Sequence, residues 1–255
     1  MKRRFLCTDT MTGILSAVYD AWKTDRADEE AGICLWGSVQ HEMFCEYYEV
    51  EENEHKADAV RKMIRKNLGA DVYGDISYAL LANDTEKGTA ILRTMMAARN
   101  IPDGHKIMEN LSHPEVRKVF QLSRSVGREA HAWKEFLRFR ELNRGILYAK
   151  ITPKHDILLA IAGHFANRFP LEDFVIYDEN HCVYMIHPKK KAWILMKDEE
   201  KQWKLPKEFS KEENEWETLW EGFRKSISIS ERKNKKLQRQ NMPVHYRKDM
   251  PEYQK

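Results

Sequence analysis

The chain has 255 residues, 42% hydrophobic and 33% charged, with 11 Gly, 8 Pro and a formal net charge of +3. This composition excludes collagen-like, low-complexity and wholly disordered chains and leaves enough apolar side chain for a sizeable core. The longest nearly pure apolar run, Ile157 to Gly163, falls far short of the roughly 20 residues of a membrane span. Thr8, Asp9 and Thr10 break any signal-peptide core after the basic start, and four cysteines without Cys-x-x-Cys spacing make no disulfide framework, so a soluble, reduced, cytoplasmic protein is expected.

Arg3 to Thr8 starts as a short strand. Asp9, Thr10 and Thr12 then offer caps for a helix over 13–24, where Ile14, Leu15, Val18 and Trp22 recur at helical spacing. Met43 to Val50 reads as a strand. Helices follow over 55–68, 72–82 and 86–99, punctuated by Gly69-Ala70-Asp71 and Asn83-Asp84-Thr85. After Ser112 the pattern predicts a long helix over 113–133. Two strand-like runs come next, 135–142 and 145–151, divided by a turn at Asn143-Arg144-Gly145. A helix over 156–168, apolar nearly all round and N-capped by Asp156, leads into strands near 173–178, 181–187 and 192–197. A charged helical pair over 210–238 precedes the tail, whose residues 242–253 are expected to lie extended and pinned by Pro243 and Tyr246. The fold class is α+β: a helical N-terminal half, then a mostly antiparallel sheet with packed helices, then a basic C-terminal helix and tail. Residues 1–228 are expected as one α+β domain, divisible into subdomains 1–112 and 113–228, with 229–255 as the basic helix and extended tail.

The small net charge hides a partition. Residues 113–148 carry 8 basic and 4 acidic side chains, and 222–255 carry 10 and 3, while 1–112 and 149–221 are net acidic. On the long helix, 100° per residue sets Arg117, Gln121, Arg124, Arg128 and His131 close to one line, away from Val116, Val119, Val126, Ala130 and Trp133. Like charges at helical neighbour spacing repel. An anion is therefore expected to compensate them, either phosphate or carboxylates elsewhere in the fold. The run 135–142, read as a strand, sets Phe136, Arg138 and Arg140 on one side, suited to stacking bases and meeting phosphate if that face is exposed. Lys233, Lys235, Lys236 and Arg239 offer a second, looser phosphate contact.

Reaction chemistry is less visible. No Gly-x-Gly-x-x-Gly, Walker A, His-Glu-x-x-His or Gly-x-Ser-x-Gly motif occurs, and no His/Cys spacing marks a metal site, so no metal and no other cofactor is expected. His164 and Arg168 share a helix with His131 on another. Together with Glu129 or Asp156 they are the catalytic candidates, provided the two helices converge.

Residues 113–187 resemble a bacterial family assigned to DNA repair or DNA metabolism and typically encoded beside a radical-SAM DNA-repair protein. A similar domain is found fused ahead of a uracil-DNA-glycosylase-like domain. The resemblance rests on Arg124-x-Val126-x-x-Glu129-Ala130-His131, Phe136-x-Arg138-Phe139, Pro153-x-His155-Asp156 and His164-Phe165-Ala166-x-Arg168-Phe169, and it reaches Asp178. The stretch from Asp9 to Trp22 and the ending Met242 to Arg247 extend it. What the resemblance implies is a DNA-repair setting, a radical-SAM partner and an association with glycosylase domains. It assigns no catalytic residue. The leading expectation is an accessory protein that binds nucleic acid, DNA foremost, through Arg117, Arg124, Arg128, His131, Arg138, Arg140, Arg168 and the C-terminal cations. The alternatives are a DNA-processing enzyme using His131, His164 and Arg168, or a protein-interaction scaffold.

Overall fold

The computed structural model describes residues 2–24, 31–38, 43–143, 145–198 and 208–253. Arg144, in the expected turn, lies outside the described residues. The chain divides into two compact units, Met1–Arg128 and Glu129–Lys255.

The first unit begins with β1 (Lys2–Cys7), α1 (Met11–Lys23) and β2 (Ala31–Leu35), followed by β3 (Cys45–Glu49), α2 (Glu54–Leu80) and α3 (Lys87–Ala98). Thr10 caps α1, its Oγ1 accepting the Gly13 N–H at 2.9 Å. The strands pair in the order β2-β1-β3, both neighbours parallel to β1, with Phe5 opposite Ile33 and Tyr48. Parallel neighbours need a crossover, and α1 supplies the one between β1 and β2. This parallel sheet was not expected, because Ala-Gly-Ile-Cys-Leu is too short and too glycine-broken to announce a strand. Phe5, Ile14, Leu15, Ile33, Ile64 and Ile91 belong to the unit's buried core.

The expected break between two helices is a kink inside α2, at Gly69 with φ 89° and ψ 174°. That backbone region is open essentially to glycine alone. A Cβ there would also sit 2.6 Å from His105 Nδ1.

The long helix, α4 (Pro114–Phe136), carries the chain out of the first unit and into the second. The second unit continues with β4 (Arg140–Leu142), β5 (Ile146–Ile151), α5 (Leu158–Arg168), β6 (Phe174–Asp178), β7 (Val183–His187) and β8 (Ile194–Lys197). These strands form one sheet in the order β4-β5-β6-β7-β8, antiparallel except for β5 and β6, which α5 joins as a parallel crossover. Then come α6 (Lys211–Ser226), α7 (Lys235–Asn241) and a single turn, α8 (Val244–Arg247). The architecture is α+β, with a helix-rich N-terminal half and an antiparallel-rich sheet in the C-terminal half.

Four local expectations change. The strand expected over 135–142 shrinks to β4, because Glu135 and Phe136 complete α4. Phe136 packs on Tyr246 with ring centres 4.9 Å apart, and Phe139 meets Phe165, Phe169 and Phe174 at 5.4–5.6 Å. Phe136, Arg138 and Arg140 therefore do not share a strand face, and the two rings are used in packing. Helix α5 buries Leu158, Ile161, Ala162 and Phe165 but exposes Gly163, His164, Asn167 and Arg168. Its cap position falls on Ile157, not Asp156, with no side-chain capping bond. Finally, residues 242–253 are folded into α8 and a 3-10 turn over Pro251–Tyr253 instead of running extended. Tyr246 and Met250 are buried there, Tyr246 edge-on to Trp133 at 5.0 Å. Asp249, also buried, accepts a hydrogen bond from Thr152 Oγ1 at 2.5 Å, and burial pushes its carboxyl up.

Candidate nucleic-acid interface

In the first unit, the amphipathic α4 buries Val116, Val119 and Val126 and exposes Arg117, Gln121, Arg124 and Arg128. Arg124 lies over the ring of Phe120 at 5.1 Å. Among the described residues, none of the three arginines has a carboxylate within ion-pair distance. The contrast on the same helix is Lys118, whose Nζ sits 2.8 Å from Asp84 and 3.4 Å from Glu86. Carboxylates of the fold neutralise the flank of α4 and, among the described residues, leave the arginine line bare.

In the second unit, His131 continues α4 with an exposed ring, its Nε2 3.2 Å from Glu135 Oε1. It opens on a hollow of about 770 Å³ that His164 and Arg168 of α5 also line, with Lys134, Glu135 and Phe139. His131 of α4 and His164 and Arg168 of α5 thus line one hollow, without the Glu129 or Asp156 carboxylate expected beside them. Lys134, missed in the sequence, stands one turn beyond His131, and that i,i+3 spacing was the available signal. Neither Lys134 nor Arg168 forms an ion pair among the described residues. Arg168 is exposed, its guanidinium 5.7 Å from the Phe169 ring, so it does not need the buried counter-charge that a core position would have demanded. Partial burial and the nearby Lys134 and Arg168 cations hold the His164 imidazole below its ordinary pKa. Its neutral form is thus favoured near pH 7, and an anion entering the hollow would oppose that shift. An NMR titration is expected to place His164 below an ordinary histidine, and to move it up in Arg168→Ala or on addition of inorganic phosphate. A midpoint indifferent to both would contradict this electrostatic picture.

Of the remaining candidates, Arg138 also lines the hollow and Arg140 does not. Arg138 is paired with Glu252 at 3.2 Å, and Arg140 with Glu217 at 2.6 Å while covering the Phe209 ring at 3.3 Å. Both guanidiniums already hold internal carboxylates. Lys233, Lys235, Lys236 and Arg239 are exposed and without ion pairs among the described residues. Glu129 does not line the hollow: its carboxylate accepts the N–H groups of Lys154 and His155 at 2.7 and 2.9 Å and ties down the loop after β5. Asp156 does not line it either.

A second acid–histidine pair went unread. Fully buried Asp178, at the end of β6, holds His181 Nδ1 at 2.7 Å and accepts the N–H groups of Asn180 and His181. Asp-x-x-His at a strand end was its only signal, and the pair organises the β6–β7 turn. No three His, Cys, Asp or Glu side chains gather as metal ligands among the described residues, and none of their helices is long and apolar enough to cross a membrane.

A family model for a domain of unknown function, DUF4130, matches residues 85–252. Among curated proteins none matches the sequence.

Proposed function

The chain belongs to the DUF4130 family, a domain of unknown function, and from the surface chemistry of this member we propose that it binds nucleic acid, DNA foremost, through a phosphate-contacting surface on each of its two units. The observation behind this reading is selective neutralisation. Lys118, Arg138 and Arg140 are each matched by a carboxylate of the fold. Arg117, Arg124 and Arg128 on α4, and Lys134 and Arg168 in the hollow, have none among the described residues. Aligned cations repel in the free protein and gain when phosphates lie along them and release counterions. The resemblance to DNA-repair proteins supplies a setting, in which a radical-SAM partner would bring the redox chemistry and this cytoplasmic chain would hold substrate or assemble the complex.

A second reading is favoured by the convergence of His131, His164 and Arg168. The neutral His164 could accept a proton, Glu135 steadies His131, and Lys134 with Arg168 could meet charge developing on a phosphate. This makes the hollow a candidate for DNA processing.

Fluorescence anisotropy with labelled duplex and single-stranded DNA at low salt tests the binding reading, with saturable binding of at least one form expected. Binding of neither would overturn it. Turnover of the bound DNA that disappears in His131→Gln and His164→Gln would add the enzymatic reading, whereas binding without turnover would remove it.

A further inference from the structure

Helix α6 is turned opposite to the usual arrangement. Amphipathic helices ordinarily direct the apolar stripe inward, yet α6 has no buried residue. Trp216, Leu219, Trp220, Phe223 and Ile227 follow one stripe at helical spacing and are 52–67% exposed. The helix is held to its unit by a polar edge instead. Glu217 pairs with Arg140 at 2.6 Å, Glu213 accepts the Glu141 N–H at 3.0 Å, and Arg224 donates to the Glu252 carbonyl at 3.4 Å. An exposed aromatic patch of this kind marks an interaction surface.

The chemistry beside the stripe selects the occupant. A cleft of about 880 Å³ runs between α6 and residues 228–241, lined by Trp216 and Trp220 and rimmed by Arg232, Lys233 and Lys235. Its volume falls within the range of about 300–1,000 Å³ usual for ligand sites. Four carboxylates also line it, and each has an internal partner: Glu213 and Glu217 as above, Glu221 with Lys225 at 3.1 Å, and Glu252 with Arg138 at 3.2 Å. The three rim cations have no ion pair among the described residues. Phe223 stacks on Trp220 at 5.8 Å and braces that indole. An apolar protein helix would cover the indoles and leave the cations unanswered. A duplex would meet the cations, but its base faces are already stacked. An unpaired strand satisfies both.

We propose that the α6–α7 cleft binds single-stranded nucleic acid, with bases stacked on Trp216 and Trp220 and phosphates on Arg232, Lys233 and Lys235. The inference rests on the nucleic-acid reading and deepens it by naming the strand form. The test measures anisotropy of a labelled oligothymidine and a labelled duplex with the full chain and two variants, Trp216→Ala/Trp220→Ala and Trp216→Phe/Trp220→Phe. Loss of stacking is expected to weaken oligothymidine binding by about tenfold or more per ring. The salt slope should stay unchanged, because stacking releases no counterions. The phenylalanine variant should recover most of the affinity, and duplex affinity should not move. If the native chain binds oligothymidine and the alanine variant binds it equally well, the cleft assignment is wrong while the nucleic-acid reading stands. If the native chain binds neither probe, both fall. Sedimentation showing a dimer that the alanine variant dissolves, with oligothymidine affinity unchanged, would make the stripe an interface between copies and overturn the inference.

Discussion

Replacing Tyr246 with alanine is expected to lower the stability of the second unit by about 3–5 kcal/mol, the range for deleting a large buried aromatic ring. The ring is edge-on to Trp133 and tilted onto Phe136, so its loss opens a cavity between the end of α4 and the C-terminal turn. Burial drives the Tyr246 phenol up to about 12, so the hydroxyl stays protonated across the working pH range. Tyr246→Phe should therefore cost only a small part of that loss. Urea unfolding followed by tryptophan fluorescence measures the effect directly, because Trp133 is in the contact. An unchanged midpoint in Tyr246→Ala would mean that the C-terminal residues lie on the unit without holding it.

The second large effect concerns the bare arginine line. Arg117→Ala/Arg124→Ala/Arg128→Ala is expected to weaken duplex binding on the order of a hundredfold at low salt, uniformly across sequences. It should also shallow the salt dependence by roughly 2.7 in log–log slope, at about 0.9 per lost phosphate contact. All three side chains are exposed and contribute nothing to the core, so the thermal midpoint should hold. Arg138→Ala should behave differently, since its removal strands the Glu252 carboxylate, only 11% exposed. Stability should fall more than affinity. Equal affinity losses in the two variants would contradict the distinction drawn between neutralised and open cations.

The elements that were legible in the sequence are those whose own periodicity decides them. Helix α4 declared both its buried valines and its cationic stripe, because 3.6-residue spacing separates the two faces without help from the rest of the chain. Strands β5, β6 and β7 were legible for the same reason. Elements decided by distant partners were not. Phe136-Leu137-Arg138-Phe139 looks like strand by composition, yet Phe136 finishes a helix because Tyr246, 110 residues on, offers it a ring. Arg138 and Arg140 looked available until Glu252 and Glu217 arrived from the C-terminal segment. Helix α5 read as buried all round because Ala and Gly are apolar by class, although they exclude little water, and its His164–Arg168 edge is open. The hollow itself depends on how α4 and α5 converge, which no spacing within either helix encodes.

The most direct test of the account is the salt dependence of duplex binding by the native chain, log K plotted against log salt concentration. The three α4 arginines alone predict a slope of about −2.7, and Lys134 with Arg168 steepen it toward −4.5 if both units engage the same duplex. A flat line, or no binding of either duplex or single-stranded DNA at the lowest salt, would contradict the central claim that these cations, without ion pairs among the described residues, await phosphate.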